Sequence, residues 1–118
     1  MGQQPLDYIE MPSKDLAADQ QFFTQVFDWR FKPYGEDYLA FWQGFPGLKG
    51  GFYRSDSIAK SREGAPLMIF YSEALEVTLE QVLSASGVLA KAIFPFPGGR
   101  RFQFFAPGGV ELGVWSDL

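Results

Sequence analysis

The run Tyr8-Ile9-Glu10-Met11-Pro12-Ser13-Lys14-Asp15-Leu16, continuing through Phe22-Phe23-Thr24-Gln25-Val26-Phe27-Asp28-Trp29, decides how this chain folds. Residues 6–11 carry a short strand pattern. Pro12-Ser13-Lys14-Asp15 supplies a turn and a helix cap, because an Asp side chain accepts the backbone N–H groups that a first helical turn leaves free. Leu16, Phe23 and Phe27 then set an apolar stripe on a helix over 16–27. Three strands are expected to follow, over 29–34, 38–43 and 48–54, broken by Pro33 with Gly35 and by Phe45-Pro46-Gly47.

The second half repeats this plan. A strand over 67–71 leads into a turn at Ser72 or Glu73. Leu75, Leu79, Val82 and Leu83 mark a helix ending at Gly87. Strands over 88–94, 100–105 and 110–115 are separated by Pro95, by Pro97-Gly98-Gly99 and by Pro107-Gly108-Gly109. Residue echoes run in the same order: Asp15-Leu16 with Ala74-Leu75, Pro46-Gly47 with Pro107-Gly108, and Gly51-Phe52-Tyr53 with Gly113-Val114-Trp115. The expected fold class is therefore α+β, two tandem βαβββ modules over about 1–56 and 64–118. At 118 residues and 47% hydrophobic content the chain buries one substantial core, so 1–118 reads as one domain.

Composition narrows the chemistry. Fourteen acidic against ten basic side chains leave a net charge of -4, which disfavours nucleic acid and anionic membrane, since both demand clustered Lys and Arg. There is no cysteine and no histidine. Disulfides, thiolate nucleophiles, histidine triads and His-His-carboxylate metal sites are excluded accordingly. No stretch is apolar for the length of a membrane span and no export signal is seen, so cytoplasm is the expected location.

The opening run, and the closing Phe102-Gln103-Phe104-Phe105-Ala106-Pro107-Gly108-Gly109-Val110-Glu111-Leu112, resemble phrases of the vicinal oxygen chelate superfamily. That is the glyoxalase, bleomycin-resistance and ring-cleaving dioxygenase group. The first is similar to its strand, Asp-Leu, Phe-Tyr and Leu-Gly-Trp/Phe order; the second to Phe-x-Asp-Pro-Asp-Gly-Asn-x-Ile-Glu. The resemblance implies mixed sheets curling into a trough with helices outside, a small ligand inside, frequent homodimers, and in catalytic members a metal held by four strand residues. Those four positions map to Tyr8, Gly51, Leu67 and Gly113. Glycine and leucine offer no donor and a neutral tyrosine is a poor ligand. A metal-deficient member with no cofactor is the expectation.

Strand alternation names what lines the trough. With Tyr8 inward, Glu10 is inward too, while Ile9 and Met11 face the helices. The same phase presents Tyr53, Tyr71 and Trp115. Arg101, Gln103 and Phe105 are the inward positions before Pro107, and Ala40 and Trp42 are their counterparts by the repeat. The candidate ligand-binding set is Tyr8, Glu10, Trp42, Tyr53, Tyr71, Arg101, Gln103 and Trp115, with Glu10 as candidate general base unless Arg101 pairs with it. Arg100-Arg101 after Pro97-Gly98-Gly99 reads as phosphate capture or, with more weight, as a hairpin. Residues 55–64 read as a solvated connector, and Phe22, Phe23 and Phe27 as core. Three functions fit: metal-independent capture of a small organic molecule, as in relatives that bind drugs such as bleomycin without metal; a lyase or isomerase related to lactoylglutathione lyase; or a structural dimer with a vestigial cavity.

Overall fold

A computed structural model of the protein describes residues 2–44 and 47–118. The first module runs β1 (Tyr8–Ser13), α1 (Leu16–Phe27), β2 (Arg30–Pro33), β3 (Tyr38–Trp42) and β4 (Lys49–Arg54). The second runs β5 (Met68–Tyr71), α2 (Leu75–Ser84), β6 (Val88–Phe96), β7 (Gly99–Phe105) and β8 (Glu111–Ser116). Each module is one four-stranded mixed sheet, in the orders β1-β4-β3-β2 and β5-β8-β7-β6. This is the expected α+β pair of βαβββ modules. The first strand of each lies parallel to the last, a pairing that requires a crossover, and the helix supplies it.

Helix α1 starts where Asp15 Oδ1 accepts the Ala18 N–H at 3.0 Å. It ends at Asp28, whose left-handed φ of 58° turns its N–H back onto Phe23 and Thr24. The cap of α2 has no such carboxylate; the Ser72 hydroxyl accepts the Ala74 N–H and bonds Thr78 instead. Both modules feed one core. Phe22 and Phe23 are 1% and 0% exposed, Phe22 meets Phe104 of β7, and Phe23 meets Phe52 of β4. Phe27 lies flat on Phe70 of β5 at 4.0 Å, so α1 is shared between the two sheets.

Two breaks expected from proline are placed differently. Pro12 and Ser13 belong to β1, paired with Tyr53 and Arg54, rather than to a turn. Pro95 sits within β6 opposite Arg100, whereas Pro33 closes β2 at the expected break. All three strands are sheet edges, where a missing N–H costs no ladder bond. The echo at Pro46 lies outside the described residues. Residues 55–64 are more than a solvated connector: the Ser61 N–H and hydroxyl both bind Glu111, and Lys60 lies over the Phe105 ring. Among the described residues, no helix is long and apolar enough to cross a membrane.

Candidate functional site

The strand phase read from the sequence holds in the first sheet. Met11, Leu39, Phe41 and Phe52 are buried on the helix side. Tyr8 and Glu10 of β1, Tyr38 and Trp42 of β3 and Tyr53 of β4 occupy the alternate, helix-free face, with Tyr8 41%, Trp42 42% and Tyr53 41% exposed. Register brings them into a patch: Glu10 is level with Gly51 and Ala40, Tyr53 with Tyr38, and Trp42 with Lys49 and Tyr8. Tyr38 is the hub. Its hydroxyl donates to Glu10 Oε2 at 2.9 Å and lies 2.5 Å from the Tyr8 hydroxyl. Loss of water contact, the Tyr8 hydroxyl and the Glu10 carboxylate all raise the Tyr38 phenol well above its ordinary range, so it keeps its proton.

On the second sheet the helix-free face carries Ile69, Tyr71, Arg101, Gln103, Glu111 and Trp115. Here the polar groups form a line. Ser61 donates to Glu111 through its N–H at 2.8 Å and its hydroxyl at 3.0 Å. The Gln103 amide donates to Glu111 Oε2 at 2.9 Å, and Arg101 Nη2 donates to Gln103 Oε1 at 3.2 Å. Burial pushes the Glu111 carboxyl up, but Ser61, the Gln103 amide and nearby Lys60 outweigh it and hold the acid below its ordinary value. Gln103 is 6% exposed and locked at both ends, so it orients the Arg101 guanidinium over Phe94 and Phe96. Trp115 stands edge-on to both Tyr71 and Phe96, at 5.1 and 6.1 Å, and the Tyr71 hydroxyl donates to Asp117.

Arg101 and Glu10 do not form the pair weighed from the sequence. The ion pairs among the described residues are Asp7–Lys49, Asp37–Arg54 and Glu76–Arg100. Glu10 is engaged by Tyr38 on one sheet, Arg101 by Gln103 on the other. Arg100 takes the other face from Arg101, holding Glu76 and the carbonyl of Leu118. Gly98 and Gly99, with φ of 128° and 158°, belong to the β6–β7 hairpin. An apolar cleft of about 480 Å³ opens at the seam between the modules, with Ile9, Met11 and Trp29 on one side and Met68, Ile69 and Tyr71 on the other. A second cleft of about 300 Å³ lies over Arg101, Trp115 and Phe96. Ile69 lines both.

Sequence reasoning missed Tyr38, Glu111 and Ser61. Tyr38 was accessible, being two residues before Ala40 on the same strand face. Glu111 likewise precedes Gly113 by two. Ser61 had no signal, because its partner is 50 residues away.

The four positions where the resemblance implies metal ligands do not fit a cation. A side chain at Gly51 would overlap the Tyr38 ring and hydroxyl, which already fill that space. Gly113 presents only backbone, beside Ile69 and Gln103, and Leu67 has no donor atom. Among the described residues, no three acidic, histidine or cysteine side chains gather in the way a metal site needs.

This is the fold of the glyoxalase/bleomycin resistance/dioxygenase proteins. A crystal structure of such an enzyme from Burkholderia phytofirmans PsJN superposes with a TM-score of 0.78 at 14% identity, over 98% of this chain and 100% of that one. The genomically encoded fosfomycin resistance protein FosX from Listeria monocytogenes gives 0.77 at 17% identity, over 96% and 93%. A glyoxalase-related enzyme from Fulvimarina pelagi gives 0.75 at 18% identity, over 96% and 88%. No protein-family model matches the sequence, and no curated protein matches it. At these identities the likeness establishes architecture, and a fold shared by many chemistries selects none of them.

Proposed function

We infer that the protein binds a small organic molecule on the helix-free faces of its sheets, without a metal. One observation carries this reading: where the resemblance implies cation ligands, the first module instead holds the Tyr8–Tyr38–Glu10 cluster, with the Tyr38 ring over Gly51. Exposed Trp42 and Tyr53 flank that cluster, and aromatic side chains with few oriented polar groups are the usual lining of a small-molecule site. A fosfomycin resistance protein and a glyoxalase-related enzyme both have this fold.

The cluster also favours a second reading, acid–base catalysis by a lyase or isomerase. Glu10 accepts and Tyr38 donates, so a substrate hydroxyl or enol oxygen replacing the Tyr38 contact meets both a base and a hydrogen-bond donor. The test is a thermal-shift and calorimetric screen of a metabolite library, with and without chelator. Chelation is expected to leave the melting temperature unchanged within about 1 °C, because a ligand that is not bound cannot stabilise. Trp42→Ala is expected to weaken a hit by about tenfold or more, and Glu10→Gln by only a few fold. Loss of turnover on Glu10→Gln with binding retained establishes the enzyme. One equivalent of tightly held metal ends the metal-free reading.

A homodimer suits the surface. Tyr8, Trp42, Tyr53, Ile69 and Tyr71 are each 41–48% exposed on helix-free faces, and a second copy would remove part of that apolar area from water. Sedimentation equilibrium is expected to return twice the 13.3 kDa chain mass; a monomer at micromolar concentration contradicts it.

A further inference from the structure

We propose that the cleft over Arg101 recognises an organic carboxylate with a flat or apolar body, which names the ligand class of the small-molecule reading and rests on it. Arg101 is half-buried, and among the described residues it has no carboxylate within ion-pair distance. Its Nη2 is committed to Gln103, while its buried Nε–H has no acceptor at all. Glu111, the acid nearest in the bonded line, is spent on Ser61 and the Gln103 amide. A cation taken partly out of water carries a desolvation cost, which an anion against the part of the guanidinium that lines the cleft offsets through its charge.

The surroundings strengthen the field. Lys91 pairs with Gln103 in register and lies 4.8 Å over the Phe94 ring, the same ring that Arg101 covers at 5.1 Å. Lys91, like Arg101, makes no ion pair among the described residues. Two uncompensated cations thus share one aromatic ring in a chain whose net charge is -4. The guanidinium lies 5.1 Å from the Phe94 ring centre and 5.5 Å from that of Phe96, which restricts its motion, and Nη1 has no hydrogen-bond partner among the described residues, so it is left for a carboxylate oxygen.

The walls specify the rest of the ligand. Ile69, Phe96 and Trp115 enclose the cleft, so an anion with no apolar part leaves them uncovered. Ile69 joins this cleft to the larger apolar seam, which gives a hydrophobic body somewhere to extend. A bare phosphate satisfies the charge and none of this surface.

The test compares three probes on the intact protein by calorimetry and by the indole N–H resonance of Trp115: benzoate, its neutral isostere benzamide, and inorganic phosphate. Benzoate is expected to bind at least about tenfold more tightly than either of the others and to shift that resonance. Arg101→Gln is expected to abolish the preference over benzamide, whereas Arg100→Gln, on the opposite face, leaves it intact. Equal binding of benzamide and benzoate by the parent protein overturns the assignment without relying on any variant, while leaving small-molecule binding itself in place. Phosphate binding as tightly as benzoate overturns the apolar part. Silence towards all three probes, together with silence in the metabolite screen, overturns both readings.

Discussion

Replacing Phe23 by alanine is expected to lower the unfolding free energy by about 4 kcal/mol, a large share of the roughly 5–15 kcal/mol that holds a domain of this size together. The side chain is 0% exposed and lies against Trp29 at 4.4 Å, Phe52 at 5.4 Å and Phe27 at 6.0 Å. Deleting it removes the transfer gain of a whole ring and leaves a void. The void cannot close readily, because Trp29 is stacked on Phe41 at 4.3 Å, and Phe52 meets the same Phe41 ring. Urea denaturation followed by near-ultraviolet circular dichroism measures the loss. A cost below about 1.5 kcal/mol would mean that α1 is not the shared keystone of the two sheets.

The second large effect concerns pH. Asp19 of α1 is 0% exposed, accepts the Gly108 N–H at 2.7 Å through Oδ1, and leaves Oδ2 without a partner. Together with the Lys14 N–H donating to Gly108 O, this contact ties the first module's helix entry to the β7–β8 turn of the second. Gly108 has to be glycine here, since a Cβ would overlap Asp19 Oδ2 and the Ser13 hydroxyl. Burial raises the Asp19 carboxyl from its ordinary 3.8 to about 6, against the opposing pull of Ser13 and the Gly108 N–H. The folded state therefore holds this proton more tightly than the unfolded chain. The contribution is fully present below pH 3.8 and is lost as pH rises through 6, a swing of about 3 kcal/mol.

Asp19→Asn isolates it. The amide oxygen still accepts from Gly108, and no charge remains to be buried. The variant is expected to be more stable than the parent at pH 8, with the advantage shrinking toward pH 5. Taking the difference between the two proteins cancels Glu76 and Glu111, whose lowered values pull stability the opposite way in acid. An advantage of the same size at both pH values would show that Asp19 is ionised throughout.

Much of the fold was legible. The helix over 16–27 was read to the residue, because a capping Asp before a phenylalanine stripe is a local signal. The strand phase was legible too: Met11 and Phe52 needed the helix side, and Tyr8, Glu10 and Tyr53 followed by alternation. The prolines misled, since whether Pro12 or Pro95 breaks a strand depends on that strand being an edge, and sheet order is not a local property. The candidate site was legible as a set of residues and not as a set of contacts. Alternation listed Glu10 and Arg101 together, but it carries no information about which sheet's face meets which.

The sequence by itself determined the two βαβββ modules, the face each strand residue takes, and the lack of histidine and cysteine donors, because periodicity, capping and side-chain chemistry act over a few residues. Only the tertiary structure decided that Tyr38 fills the space over Gly51, that Ser61 and Glu111 steady Gln103 beneath Arg101, and that Asp19 is buried against Gly108. The Ser61–Glu111 and Asp19–Gly108 contacts join residues 50 and 89 positions apart. The shorter ones, Tyr38 over Gly51 and Gln103 to Glu111, lie between neighbouring strands, and their geometry is set by how those strands pair and how the two sheets and the shared helix come together.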